Sequence, residues 1–359
     1  MKAFQCATKV ISGPGAVSSL QEQGIRRLFL VADPYFVENG EAERIIALTG
    51  AEAFASFSQI APDPSVELAA AGTAQLQAFC PDTVVALGGG STIDCAKAMV
   101  CFSGVPVRLI AIPTTSGSGS EVTDFAVLTH KEVKHPLVDA KLRPAVAILD
   151  GDLLKNLPPK LVADTGFDAI SHSVEAYVAT DAGAITDALA QSAFSVLMAH
   201  LGASFAGNTA LRQKIHTASA MAGLAFTQAG LGLCHALAHT LGGIFHLPHG
   251  RLNAILLPAV IRCNAQVCGE KYAHLARSAG VGASSDSMAV RNLQNALIRL
   301  RRNLHLPETL VQAGADVRGL WQKTDSIVKT TLEDPCCKTN PVLVEDFMVR
   351  NVLREVSGG

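Results

Sequence analysis

The first part of the chain alternates short apolar runs with segments of helical periodicity. Five runs are rich in apolar, often β-branched residues and are bounded by Gly, Pro or Asp: RLFLVAD (27–33), TVVAL (83–87), VRLIAIP (107–113), DFAVLT (124–129) and AVAILD (145–150). Runs of this length predict buried strands, and their alternation with helices predicts a parallel sheet with helices on both faces. We therefore expect an α/β, Rossmann-like unit.

The pattern changes after Asp150. The segments ITDALAQSAFSVLMAHL (185–201) and KIHTASAMAGLAFTQ (214–228) have helical spacing and small residues suited to close helix packing. A chain of 359 residues is also longer than one core usually fills. We predict an all-helical second domain, with the boundary near 151–158 and the domains at 1–152 and 153–359.

Composition and charge exclude several classes of protein. The 29 Lys and Arg residues nearly balance 31 Asp and Glu residues without a run of like charge, which argues against a nucleic-acid or polybasic membrane partner. The mean hydropathy is +0.30, but polar residues, Gly or Pro interrupt every apolar run, so we expect no membrane span. The N-terminus lacks the apolar core of a secretory signal, and nine cysteines without a CxxC pair predict reduced thiols in the cytoplasm.

The first of two glycine-rich loops is ALGGGSTIDCAKA (86–98). Three glycines precede Ser91, and Asp94 follows three residues later, which is the spacing of an N-terminal capping box. Glycines let a backbone approach a ligand, and the N–H groups of a helix start attract anions. Taken alone, the segment fits a phosphate site and a tight strand-to-helix turn equally well, since neither G-x-G-x-x-G nor a P-loop is present.

The second loop, IPTTSGSGSEVT (112–123), again follows a predicted strand and carries several hydroxyls and glycines. Two such loops at the carboxyl ends of strands are where an open α/β sheet binds nucleotides, so together they favour a nucleotide site. Asp33 ends the strand at 27–33, where it could accept a hydrogen bond from an adenosine ribose or cap a helix or turn.

Carboxylate and imidazole groups are concentrated in apolar helical segments of the second part. Asp168 and His172 are four residues apart, on one helix face. The segment CHALAHTLGGIFHLPHG (234–250) adds four histidines, of which His246 alone is better explained as a hydrogen-bonded core group. Burying so many ionisable groups is costly unless a metal or mutual pairing satisfies them. Spacing therefore predicts an Fe²⁺ or Zn²⁺ site from Asp168, His172 and two later histidines, without deciding which two.

The motifs disfavour hydrolysis. HALAH (235–239) differs from the H-E-x-x-H helix of zinc proteases, because Ala236 stands where that motif needs its general-base Glu. No G-x-S-x-G nucleophile motif occurs. A metal without an obvious base, beside a nucleotide-binding first part, favours a metal that polarises an oxygen while hydride moves.

The chain resembles the iron-containing (group III) alcohol dehydrogenase family over essentially its whole length. The segments that carry the resemblance, in the family's order, are GGGSTIDCAKA, PTTSGSGSEVTDFAVLT, GFDAISHSVEAYVAT and GLGLCHALAHTLGGIFHLPHGRLNAILLP. FTQAGLGLCHALAHTLGG further resembles the alcohol dehydrogenases of propanediol- and ethanolamine-utilisation microcompartments. The resemblance implies a dehydroquinate synthase-like architecture, with an α/β NAD-binding domain and an all-helical metal-binding domain. It also implies interconversion of short primary alcohols and aldehydes, in the cytoplasm or in a bacterial microcompartment.

The resemblance also implies the site residues. The metal ligands would be Asp168, His172, His235 and His249, and His239 would be a proton relay near the nicotinamide. Asp33 matches the acidic residue that favours NAD over NADP, because a carboxylate would repel a 2′-phosphate. The further residues that would lie against NAD are Gly89, Gly90, Ser91, Asp94, Thr114, Thr115, Ser118 and Lys134, with Asp63 at a position where many relatives carry Asn.

Two alternatives stay open. A dehydroquinate synthase-like lyase would cycle NAD internally, but it needs cations to hold a charged, phosphate-bearing substrate, and the segments around the ligands offer almost none. A cofactor-binding scaffold with vestigial chemistry would not need the complete ligand set. A homodimer, and a microcompartment shell or an aldehyde dehydrogenase as partner, follow from the resemblance alone.

Overall fold

The computed structural model describes residues 4–131 and 133–358, the side chains of residues 133 and 134 excepted. The chain forms two compact units. The sheet unit contains residues 6–157 and 212–220, and the helical unit contains residues 4–5, 158–211 and 221–358. The predicted domain division at residues 152 and 153 stays a prediction.

The sheet unit is built on six parallel strands in the order β1-β8-β5-β4-β2-β3. The strands of this sheet are β1 (Lys9–Ser12), β2 (Arg27–Ala32), β3 (Ala53–Phe57), β4 (Thr83–Gly88), β5 (Arg108–Pro113) and β8 (Val146–Leu149). The strands β6 (Phe125–His130) and β7 (Val133–Val138) lie outside it. The helices of this part are α1 (Pro34–Glu38), α2 (Glu41–Thr49), α3 (Val66–Phe79) and α4 (Gly90–Ser103). This arrangement confirms the predicted Rossmann-like α/β class.

The inner strands are apolar on both faces because helices cover both sides of the sheet. Phe29 and Val31 of β2 pack with residues of α3 and α4 in one core, whereas Leu28 and Leu30 pack on the opposite face with residues of α2. A strand buried on both sides cannot show hydrophobic alternation, so it appears in the sequence as a continuous apolar run.

The run DFAVLT is the exception to the predicted parallel sheet. It forms β6, which pairs antiparallel with β7 in a separate two-stranded sheet. Ala126 and Leu128 are buried while Phe125, Val127 and Thr129 are only partly covered, as expected for a hairpin with one buried face. The short strands β1 and β3, at the two edges of the large sheet, were not predicted because they are partly exposed and weakly apolar.

The helical unit confirms the predicted all-helical second part, since the described residues after Leu149 form helices and no strand. Its helices are α5 (Pro159–Val178), α6 (Ala184–Phe205), α7 (Arg212–Ala229), α8 (Leu233–Phe245), α9 (His249–Ser278), α10 (Asp286–Asn303), α11 (Leu310–Ala313), α12 (Val317–Gln322), α13 (Thr324–Glu333) and α14 (Asp346–Ser357). Residues 212–220 of α7 belong to the sheet unit. Helix α5 is buried along almost its whole length between α6 and α9.

Two helices, α6 and α9, are long and apolar enough to cross a membrane by length and composition, and the bent pair at 209–245 also passes as one span. The expectation of no membrane span rested on interrupted apolar runs, and by length and mean hydropathy these helices nevertheless have the composition of a span. In α9, 67% of the apolar window is buried inside the protein, against 33% in α6. Packing against α5, α8 and α10 accounts for the apolar character of α9.

Candidate metal centre and nucleotide-binding loops

The two glycine-rich loops lie side by side, because they follow the neighbouring strands β4 and β5. The Thr114 N–H donates to the carbonyl of Gly88 at 3.0 Å. A Cβ at Gly89 would lie 3.4 Å from the Thr115 side chain, and one at Gly90 would lie 2.8 Å from the Ser118 hydroxyl oxygen. Glycine is therefore what lets the loops approach each other at the carboxyl edge of the sheet.

The predicted capping box of Ser91 and Asp94 is wrong. Helix α4 begins at Gly90, its N-cap is Gly89, and no side chain caps it. Asp94 instead accepts hydrogen bonds from the Ser120 hydroxyl at 2.5 Å and from the Val127 N–H at 3.0 Å, so it ties the second loop to α4. No side-chain cap therefore accepts the first N–H groups of α4. Such N–H groups at a helix start can bind an anion.

A buried lysine that the sequence did not reveal joins the same loops. The Lys97 ammonium is fully buried and donates to the carbonyls of Thr123 and Phe125 at 2.9 and 2.7 Å. Burial lowers its pKa to about 8. With Asp94, one turn earlier on α4, it fixes the segment that follows the hydroxyl-rich loop.

Asp33 lies where the order of strands reverses, since the chain runs from β2 out to β3 and returns to β4 on the other side of β2. Ligands of open α/β sheets bind at such a switch point. The Asp33 side chain caps α1 by accepting the Tyr35 N–H at 3.0 Å. Asp63 is exposed with a φ of 53°, Ser91 is half-buried, and the side chain of Lys134 lies outside the described residues.

Three helices bring together three of the four predicted metal ligands, Asp168, His235 and His249, and His172 lies beside this group. Asp168 and His172 lie one turn apart on α5, His235 lies in the first turn of α8, and His249 begins α9. The Oδ1 atom of Asp168 lies 3.5 Å from Nε2 of His249 and 3.8 Å from Nε2 of His235. The ring of His172 stacks on that of His235, with centroids 4.5 Å apart.

These groups perturb one another strongly because they are buried together. Burial alone would raise the pKa of the Asp168 carboxyl, but the imidazoles of His172, His249 and His235 hold it well below its usual range. Burial and the neighbouring imidazoles lower the pKa of His249 well below its usual value, although Asp168 opposes them. An ionised carboxylate and a neutral imidazole are the forms that bind a metal, and Asp168 and His249 favour these forms. His235 differs, because although burial lowers its pKa, the carboxylates of Asp168 and Glu175 raise it to about 9.

The donor set fits a divalent transition metal. Ligand atoms of Asp168, His235 and His249 all lie within 4.8 Å of one another. Bonds of about 2.0–2.2 Å to one ion need donor atoms about 3–4 Å apart, and Oδ1 of Asp168 lies at such distances from Nε2 of both His235 and His249. Carboxylate and imidazole ligands suit both Fe²⁺ and Zn²⁺.

His239 lies one turn after His235 on α8, with its ring 5.1 Å from that of His249. Its Nδ1 atom lies 2.9 Å from Oδ2 of Asp334. The side chain of His239 is 24% exposed, similar to His249 at 30%, whereas Asp168 and His235 are nearly enclosed at 10% and 1%. The prediction that His246 is a hydrogen-bonded core group is wrong, because His246 is exposed at the C-cap of α8 with a φ of 53°.

Three contacting residues were missed at the sequence level. Asn253 donates to Oδ1 of Asp168 at 2.8 Å, Asp334 contacts His239, and Oε2 of Glu175 lies 2.6 Å from Nδ1 of His235. Glu175 is detectable in principle, because it lies seven residues after Asp168 and so shares its helix face.

Comparison with known proteins gives the family that the sequence matches. The family model for iron-containing alcohol dehydrogenase matches residues 7–151, and the C-terminal model of the same family matches residues 162–357. The chain is 38% identical to the 1-propanol dehydrogenase of Citrobacter freundii, over 99% of this chain and 100% of that protein. It is 39% identical to an NADPH-dependent butanol dehydrogenase of Clostridium saccharobutylicum, over 79% of this chain and 78% of that protein.

A solved structure has the same fold. Sulfoacetaldehyde reductase from Bifidobacterium kashiwanohense, determined in complex with NAD⁺, superposes with a TM-score of 0.91 at 26% identity, over 100% of this chain and 99% of that one. Alcohol–aldehyde interconversion with NAD(H) and an iron ion is the chemistry of the matched family. The chain therefore belongs to the iron-containing alcohol dehydrogenase family and is an oxidoreductase that interconverts alcohols and aldehydes.

Proposed function

We propose that this protein uses NAD(H) to interconvert short-chain primary alcohols and their aldehydes at a metal held by Asp168, His172, His235 and His249. The observation that carries the proposal is the convergence of a buried carboxylate and imidazoles from three helices on one point. Hydrogen bonds among these side chains would satisfy them without a metal, but such bonds do not require ligand atoms from α5, α8 and α9 to face one another.

The bound Fe²⁺ or Zn²⁺ would supply a Lewis acid for the substrate oxygen. Side chains of this protein balance the charge of the ion, orient a ligand and exclude water. Asp168 brings the negative charge that balances the cation, and Asn253 orients the carboxylate by donating to Oδ1. The apolar residues around the ligands in α5 and α8 exclude water, which suits a small uncharged aldehyde better than a phosphorylated substrate.

His239 is the proposed proton carrier. Because the carboxylate of Asp334 can only accept, it holds the hydrogen on Nδ1 and leaves Nε2 free. In alcohol oxidation Nε2 would take the hydroxyl proton, and bound NAD⁺ would supply the hydride acceptor. In aldehyde reduction the proton transfer reverses, and the partial exposure of His239 allows exchange with solvent.

The nucleotide would be held by the two glycine-rich loops. The uncapped start of α4 at Gly89 and Gly90 fits a pyrophosphate, and Thr115 and Ser118 lie beside it. Asp94 and Lys97 shape these loops rather than reach out of them. Asp33 would favour NAD over NADP by repelling a 2′-phosphate, even though the relative from Clostridium saccharobutylicum is named for NADPH. We also propose that NAD contacts Ser91, Thr114, Asp63 and Lys134.

The similarity to a 1-propanol dehydrogenase supports propanal and 1-propanol as substrates, with acetaldehyde and ethanol as the nearest alternatives. The same similarity supports a cytoplasmic enzyme that works in a microcompartment beside an aldehyde dehydrogenase. A homodimer is proposed from the family resemblance alone.

Anaerobic purification with metal analysis tests the proposal, followed by NADH and NADPH oxidation with acetaldehyde, propanal and butanal. We expect about one ion per chain and the highest kcat/KM with NADH and a two- to four-carbon aldehyde. Failure of both nucleotides to be oxidised with every aldehyde would overturn the proposal.

A further inference from the structure

A single buried carboxylate joins a helix start to a proposed metal ligand. Glu175 is 2% exposed and lies on α5, three residues after His172. We infer that Glu175 is a positioning residue that caps α8 and fixes the ring of His235 with Nε2 facing the metal. The inference rests on the proposed function, because it assigns His235 as a ligand.

The N–H groups at the start of α8 account for most of the Glu175 contacts. A helix leaves its first four N–H groups without partners inside the helix. Glu175 accepts three of them, from Gly232, Cys234 and His235, at 3.0, 2.7 and 3.3 Å. A negative charge at this position also interacts favourably with the helix dipole.

The fourth N–H, from Leu233, donates to Oδ1 of Asn340 at 3.1 Å. The cap is tightly fitted, because a Cβ at Gly232 would lie 2.6 Å from Oδ1 of Asn340 and 2.8 Å from Oε1 of Glu175. Asn340 therefore caps the same helix end as Glu175, and its other side-chain hydrogen bonds go to Asn264 and the carbonyl of Val342.

The same carboxylate determines which nitrogen of His235 is available. Oε2 of Glu175 lies 2.6 Å from Nδ1 of His235, and a carboxylate can only accept, so Nδ1 carries the hydrogen. Nε2 is then the nitrogen left to face the metal, and it lies 3.8 Å from Oδ1 of Asp168 and 3.3 Å from Nδ2 of Asn253. A carboxylate that orients a metal-bound imidazole in this way raises metal affinity about 10- to 100-fold in other metal sites.

The variants Glu175→Gln and Asn340→Ala separate ring positioning from helix capping. Both remove a cap from α8, so both should lower the Tm of the metal-free protein. Only Glu175→Gln replaces an accepting oxygen beside His235 with an NH₂ group, which cannot accept the hydrogen on Nδ1. We expect its Zn²⁺ affinity, measured by chelator competition at fixed pH, to fall about 10- to 100-fold. That of Asn340→Ala should stay within about twofold.

Equal Zn²⁺ affinity in wild type and Glu175→Gln would overturn the inference and leave the proposed function intact. Absence of Zn²⁺ and Fe²⁺ binding by the wild type would overturn both. If Glu175→Gln does not fold, ¹⁵N–¹H NMR of the histidine rings in the zinc-loaded wild type decides the question. We expect a slowly exchanging Nδ1–H on His235, assigned by its loss in His235→Gln, and coordination of His235 through Nδ1 would contradict the inference.

Discussion

The Nδ1 atom of His239 and Oδ2 of Asp334 are 2.9 Å apart, which fixes the imidazole of His239 with its other nitrogen free. Asp334 also accepts the Cys336 N–H through Oδ1 at 2.8 Å, so one carboxylate caps a turn and orients a ring. Asp334→Asn can keep the cap through its amide oxygen, but its NH₂ would donate to His239 and reverse the tautomer. We expect kcat to fall about 100-fold, at the lower end of the range for a lost acid–base catalyst.

Metal content and Tm serve as controls for that variant, since neither depends on the tautomer of His239. Both should stay near the wild-type values while KM changes little. A kcat within twofold of wild type would show that His239 does not transfer the proton, and loss of metal would indicate a structural role for Asp334.

Replacement of Asp33 tests the choice of nucleotide. In Asp33→Ser the hydroxyl can still cap α1, where Asp33 now accepts the Tyr35 N–H, but the charge that would repel a 2′-phosphate is gone. We expect kcat/KM for NADPH to rise and that for NADH to fall, shifting the ratio at least tenfold. An unchanged ratio would mean that Asp33 is a helix cap and nothing more.

Two glycines in adjoining helices should respond in opposite directions to alanine. A Cβ at Gly250 would lie 1.9 Å from the carbonyl oxygen of Asp164, so α9 could not stay packed on α5. We expect Gly250→Ala to lower the free energy of unfolding by about 1–3 kcal/mol and to weaken metal binding, since His249 begins α9. At Gly243 in α8 a Cβ meets no atom within 4 Å, so Gly243→Ala should add about 0.5–1 kcal/mol. Chemical denaturation of the metal-free variants measures both, and equal changes would contradict the packing argument.

The buried Glu121 predicts a pH-dependent stability. Burial raises its pKa from 4.5 to about 7, so the folded protein holds this proton more tightly than the unfolded chain does. Its contribution to stability is therefore complete below about pH 4.5 and is lost as the pH rises through about 7. Glu121→Gln should raise Tm relative to wild type at pH 8 and have little effect at pH 4.5, with a difference worth up to about 3 kcal/mol. A change in Tm that is the same at both pH values would contradict this account of Glu121.

The hydrophobic pattern of the sequence predicted the buried strands, and residue spacing predicted the helix face that carries Asp168 and His172. Strands buried on both faces appear as continuous apolar runs, which is why β2, β4, β5 and β8 were predicted, and the same criterion could not separate DFAVLT from them. The four-residue spacing of Asp168 and His172 predicts a shared helix face because helical geometry is local.

Contacts between distant segments carry no such signal. Asp334 lies 95 residues beyond His239, and Asn253 lies 85 residues beyond Asp168, so no periodicity relates the members of either pair. The same limit explains the wrong capping box, because Asp94 is turned away from the start of α4 by Ser120 and Val127, which only the folded loop brings near.

The most direct measurement of the central claim compares His249→Ala with His246→Ala. His249 lies 3.5 Å from Asp168 and is proposed as a ligand, whereas His246 is exposed three residues earlier and is proposed to bind nothing. After anaerobic reconstitution with Fe²⁺, His246→Ala should retain about one ion per chain and near wild-type oxidation of NADH by propanal. His249→Ala should lose most of the metal and at least a hundredfold in kcat. Full metal occupancy and full turnover in His249→Ala would contradict the proposed metal centre.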